Sequence, residues 1–103
     1  MQAHFLYADG RHEQREMTAE ERSPSGERKL VKDFLKGYPE EVWVLFNSKR
    51  SRMFVDEDGH GKGLPYNEKA TEIYRTYSKQ IGQENDHWIA GDAMVLEGKG
   101  DTI

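Results

Sequence analysis

The run Gly59-His60-Gly61-Lys62-Gly63 is where this sequence comes nearest to a phosphate cradle. A phosphate loop needs glycines that let backbone N–H groups converge, and a lysine followed by a hydroxyl residue. Here Gly63 follows Lys62, so the likeness is one of composition only. Asn67 stands just beyond as a helix opener, and helix starts attract anions. Lys49, Arg50 and Arg52 add positive charge where a hairpin tip is expected. Lys49, Arg50, Arg52, Lys62 and Asn67 are therefore the candidate ligand-binding set, suited to a nucleotide or other small anion. The competing readings are a glycine-rich connection and solvated turn charge.

Other chemistry is thinner. Asp56-Glu57-Asp58-Gly59 clusters oxygens as hard cations require. Counted from Asp56, however, the twelfth position is Asn67 rather than a bidentate Glu, and Gly59 falls too early for a calcium loop. A charged turn after a strand explains the run more simply. His4, His12, His60 and His87 include no pair at the i, i+4 spacing of a helical zinc site, and each reads as a surface residue. The serines lack the Gly-x-Ser-x-Gly elbow. With no cysteine in the chain, thiol nucleophiles, disulfides and cysteine-held zinc are excluded. No acid–base pair assembles from the sequence, so no metal, cofactor or catalytic residue is expected.

A chain of 103 residues suits one domain. Apolar residues make up 35% and charged residues 33%, so the core must come from a few concentrated segments. No apolar run approaches the ~20 residues that span a bilayer. The stretch Met1 to Asp9 lacks the basic start and apolar run of a signal peptide. A net charge of -4 speaks against a dedicated nucleic-acid binder. These features imply a soluble, cytoplasmic protein.

The positioning elements follow from local pattern. Gln2 to Ala8 alternates loosely and ends at the tight-turn pair Asp9-Gly10, so Arg11 to Met17 can return as a charged edge strand. Thr18 and Glu21 have the form of a capping box, but no apolar run follows, so at most one turn is expected. Ser23-Pro24 opens a helix over about 24–36, with Leu30, Val31, Phe34 and Leu35 on one stripe and Gly37 as its left-handed cap. Val42 to Phe46 is β-branched and aromatic, apolar on both faces, and predicts a central strand. Asn47 to Ser51 reads as a turn and Arg52 to Val55 as the partner strand. Asn67 caps a second helix whose Ala70, Ile73, Tyr74, Tyr77 and Ile81 keep helical spacing. Tyr66, Tyr74 and Tyr77 could make a sticky surface, though Tyr74 and Tyr77 fit the core side of that helix. His87 to Leu96 reads as a last strand.

The expected fold class is α+β. It has a mostly antiparallel sheet of about five strands and two helices in the order β-β-α-β-β-α-β. Residues 1–97 form one domain and 98–103 a flexible tail. The simplest layering puts both helices on one face of the sheet. Trp43 and Trp88 then exceed what one small core can bury, which allows a homo-oligomer.

Three stretches carry a resemblance. They are Leu35-Lys-Gly-Tyr-Pro-Glu-Glu-Val42; Val55-Asp-Glu-Asp-Gly59 with Gly63-Leu-Pro-Tyr-Asn67 and Ala70-Thr71; and Ile89-Ala-Gly-Asp-Ala93. From Leu30 onward the chain resembles a family of small phage, plasmid and bacterial proteins catalogued as domain of unknown function 3846. The family often shows two glycines where Lys36-Gly37 stands. The stretch from Thr76 to Asn85 is longer than usual, and the N-terminal hairpin fits loosely. The resemblance implies a mobile-element source and no particular reaction. It suggests an accessory protein that binds a host protein in the host cytoplasm, with sequestration of a small anion as the alternative.

Overall fold

The computed structural model describes residues 1–98 and has the element order read from the sequence. Strands β1 (Gln2–Leu6) and β2 (His12–Glu16) form one hairpin. Strands β3 (Pro39–Phe46) and β4 (Lys49–Asp56) form another, and β5 (Ala93–Leu96) comes last. Helices α1 (Pro24–Leu35) and α2 (Glu68–Gln80) connect them. The sheet order is β2-β1-β5-β4-β3, with every pairing antiparallel. The fold is α+β.

The helices lie on opposite faces of this sheet, contrary to the one-face expectation. Side chains alternate along a strand. Leu6, Val44, Phe46, Met53, Val55, Ala93 and Val95 thus form one interior with Ala70 and Ile73 of α2. Ala3, Phe5, Phe54, Met94 and Leu96 form the other with Val31, Leu30, Phe34 and Leu35 of α1. The apolar segments do collapse, but into two interiors divided by the sheet. Strands that are apolar on both faces require this, since each buried large side chain is worth roughly 1.5–3 kcal/mol and a single helix layer would leave half of them wet.

Local chemistry explains the boundaries. Ser23 Oγ accepts from the Gly26 N–H at 3.1 Å, and Pro24 opens α1. The left-handed cap of α1 is Lys36 (φ 57°, ψ 38°) rather than Gly37. Gly37 is needed for a different reason: a Cβ there would sit 2.6 Å from Asp56 Oδ2. Thr18 and Glu21 form the reciprocal capping box, at 3.0 and 3.2 Å, around a single turn that no helix continues. The second hairpin turns on Asn47 and Ser48 alone (φ 51° and 63°), the two-residue geometry that matches strand twist. Lys49, Arg50 and Ser51, expected in the turn, therefore belong to β4. The last strand is also shorter than expected, because Gly91 (φ 88°) breaks the extended run. Residues 87–90 instead lie along α2, where the Ile89 N–H donates to Thr71 Oγ1 at 2.9 Å. Gly98, expected in a flexible tail, donates to Ser51 Oγ at 2.9 Å. The remaining tail residues, 99–103, lie outside the described part.

Asn67 locks α2 to the sheet. Its Oδ1 accepts from the Ala70 N–H, and its Nδ2 donates to the carbonyls of Leu6 and Gly91, both at 2.9 Å. The Asn67→Ala variant loses a cap worth about 1 kcal/mol and leaves the Gly91 carbonyl without its side-chain donor at roughly 1 kcal/mol, while Leu6 keeps its ladder pairing with Ala93, so urea unfolding should show about 2 kcal/mol less stability. Asn67→Asp keeps the cap but has no donor for the carbonyls, and it too should unfold earlier. Parent-like stability in both variants would show that these bonds do not hold α2 in place.

Candidate functional site

The five cationic and amide residues singled out in the sequence do not converge. Lys49 Nζ pairs with Glu97 Oε2 at 2.8 Å. Arg52 makes a two-pronged bond to Glu27 of α1 at 2.7 and 2.8 Å, with Glu41 at 3.7 Å. Lys62 pairs with Asp56 Oδ2 at 2.7 Å and holds that carboxyl below its usual range. Arg50 lies over the Trp43 ring, 4.6 Å from its centre. Asn67 is 1% exposed and all its side-chain bonding is internal. Lys49 and Asp56 are the two ends of β4, so Lys62 stands about 23 Å of strand away from Lys49 at ~3.3 Å per residue. Only Arg50 and Arg52 share a hollow, of about 230 Å³, with Trp43, Leu96 and Glu97.

The histidines hold a surprise for sequence reasoning. His4 is 2% exposed and bridges Glu97 and His12. Its Nε2 lies 2.8 Å from Glu97 Oε1, and its Nδ1 lies 3.0 Å from His12 Nε2. Hydrogen bonds from Lys49 and His4 hold the Glu97 carboxyl below its usual range, so it stays ionised and can only accept. His4 Nε2 is then the donor, and Nδ1 accepts from His12. Burial, then repulsion from His4 when both rings carry protons and from Lys69, hold His12 below the ordinary imidazole value of 6.5. This Lys49–Glu97–His4–His12 chain spans β4, β5 and both strands of the first hairpin. No nucleophile is bonded to its outer end among the described residues, so it ties strands together. Sequence spacing hides it, because His4 and Glu97 are 93 positions apart. No cluster of three or more metal-ligating side chains occurs among the described residues, the Asp56–Asp58 run included.

The concavity with mixed chemistry lies where β3 enters the sheet and β4 leaves it. Glu40 and Val42 of β3, Val55 and Asp56 of β4, Glu57, His60, Tyr74 of α2 and His87 to Ala90 enclose about 170 Å³. Its rim is aromatic. His60 and Trp88 rings stand 4.2 Å apart edge to face, Tyr66 packs on Trp88 at 5.5 Å, and His60 Nε2 is 2.8 Å from the Trp88 carbonyl. Backbone bonds Asn67 N–H to Ile89 O and Gly91 N–H to Pro65 O, at 2.9 and 2.7 Å, zip the two loops together. Arg75 clamps the far side through the carbonyls of Asp86 and His87. Even so, Trp88 and Tyr66 remain 38% and 49% exposed. Glu40 and Glu57 have no ion-pair partner among the described residues. The glycine-rich run, like a phosphate cradle in composition only, carries His60 to this rim. Trp88 could not be placed from sequence because it reads as a strand residue.

A larger hollow of about 550 Å³ beside α1 is more open, and its polar groups are committed. Glu13 accepts from the Tyr7 hydroxyl at 2.6 Å, and Arg15 is bonded twice to Glu21. Comparison with known proteins found no matching family model, curated relative or solved structure.

The histidine chain has a pH signature. His12 binds protons less readily folded than unfolded, and so does Glu97. Both contributions are complete above the unfolded values of 6.5 and 4.5 and are lost as pH falls through the lower folded values. Melting temperature should therefore begin to drop below about pH 6.5, with a second decline below about pH 4.5. His12→Gln should abolish the first decline and spare the second. An unchanged profile in that variant would remove His12 from the account.

Proposed function

We propose that this chain is a non-catalytic binding protein that captures a partner protein through the Tyr66–Trp88–His60 rim and the cleft beneath it. The observation that carries the reading is Trp88, braced by two rings and two zipped loops yet left more than one-third open. Trp and Tyr dominate binding hot spots because they bring large rigid area at low entropic cost. The cleft adds selectivity. Glu40 and Glu57 beside Trp88 and Tyr74 favour a basic side chain from the partner, held by carboxylates and by an aromatic face.

The resemblance to phage and plasmid proteins directs the search to proteins of a bacterial host. The anion-sequestering alternative has weaker support, since Lys49, Arg52 and Lys62 already hold carboxylates and Asn67 is internal.

Capture from host lysate on wild-type and Trp88→Ala/Tyr66→Ala protein should yield a partner that only the wild type retains, with unchanged melting. With the purified partner, Trp88→Ala alone should weaken binding by about 30-fold, the scale of a 2 kcal/mol hot spot. Equal retention by both proteins would move the interface elsewhere. A nucleotide that raises the melting temperature, with no partner recovered, would favour the anion reading.

A further inference from the structure

We infer that the outer edge of β3 pairs antiparallel with the same edge of a second copy, joining two five-stranded sheets into one of ten strands. The two-residue turn makes Phe46 and Lys49 a hydrogen-bonded pair. Alternation along the ladder then gives Val44–Ser51, Val42–Met53 and Glu40–Val55 the same role. The N–H and C=O groups of Glu41, Trp43 and Leu45 must therefore point away from β4. Strand β3 is last in the sheet, and no other hydrogen bond reaches those six groups among the described residues.

The two edges of the sheet are built differently. β2 reads His12-Glu13-Gln14-Arg15-Glu16, exposed throughout, with Arg15 pinned to Glu21. Such charge is how proteins block strand addition. β3 carries the run Val42-Trp43-Val44-Leu45-Phe46 at its edge, with Trp43 41% exposed. An open apolar edge of this length invites a neighbouring strand.

Charge selects a second copy in antiparallel orientation. The start of β3 is acidic, with Glu40 and Glu41, and its end leads directly to Lys49 and Arg50. Parallel pairing would set like charges side by side. Antiparallel pairing about a two-fold axis at Trp43 sets Glu41 opposite Leu45 of the second copy. Beyond that Leu45 lies the second copy's Arg50, its partner across the hairpin. Arg50 has no carboxylate partner among the described residues, so it is free to receive Glu41. On the other face Glu40 aligns with Phe46 and, beyond it, Lys49, which already holds Glu97. The two Trp43 rings meet at the axis, each backed by its own Arg50. The contact is isologous and closes, so it stops at two chains.

Light scattering coupled to size exclusion should give twice the 12.0 kDa chain mass for the wild type. Leu45→Pro deletes an outward N–H without touching the hairpin ladder, and Trp43→Thr removes the ring pair. Each should raise the dimer dissociation constant at least ~10-fold, with circular dichroism confirming a folded chain. Arg50→Glu should dissociate the dimer and Glu41→Arg/Arg50→Glu should restore it, which guards against misfolding of any one variant. A monomer at about 100 μM, well above typical homodimer dissociation constants, overturns the inference. So does a dimer indifferent to Trp43 and Leu45. None of these variants touches Trp88 or Tyr66, so this edge and the partner-binding rim succeed or fail separately.

Discussion

The two hairpins of this protein share no backbone pairing except through β5. Ala93 to Leu96 pairs with β1 on one side and β4 on the other. All four residues are buried, three of them completely. Four residues can do this because alternate side chains feed both interiors: Ala93 and Val95 the α2 side, Met94 and Leu96 the α1 side. A strand buried on both faces and hydrogen-bonded on both edges has no alternative partner of equal quality. Bonds on either side of it fix its place. Asn67, at the start of α2, holds the Gly91 carbonyl where the chain enters β5, and Glu97 anchors the exit through Lys49 and His4.

That arrangement governs which polar groups remain for binding. Ion pairs close the seams between elements: Arg52 to Glu27 ties β4 to α1, Lys62 to Asp56 closes the loop after β4, and Lys49 to Glu97 joins β4 to the end of β5. Cations placed in such partly buried pairs are poor anion receptors, since a ligand would first have to displace a carboxylate that the fold supplies at no translational cost. Around the cleft beside Trp88, what faces outward is aromatic and acidic. Trp88 and Tyr66 sit over the cleft, Trp43 lies on the open edge, and Glu40 lies between them.

Much of the fold was legible locally. Ser23-Pro24 and Asn67 act as helix starts because their side chains satisfy N–H groups within a few residues. The polar β2 announces an edge, and Asp9-Gly10 a turn. A local signal misleads where it has two physical causes. Gly37 reads as a left-handed cap, but it is small to let Asp56 approach, while Lys36 takes the cap conformation. The polar run Lys49 to Ser51 reads as a continuation of the Asn47-Ser48 turn, yet a polar segment pairs well enough when its neighbour supplies the apolar face.

The sequence by itself determined the class of fold and the order of its elements, because propensity, capping and turn chemistry act over a few residues. Tertiary structure alone decided that the helices take opposite faces and that His4 is buried between Glu97 and His12. It alone also decided that Lys49, Arg52 and Lys62 are spent on carboxylates while Arg50 stacks on Trp43, and that Trp88 stands open beside Tyr66. Each of these depends on which residues meet across tens of positions. That meeting is settled by the global demand to bury both faces of the sheet, and no window of sequence contains it.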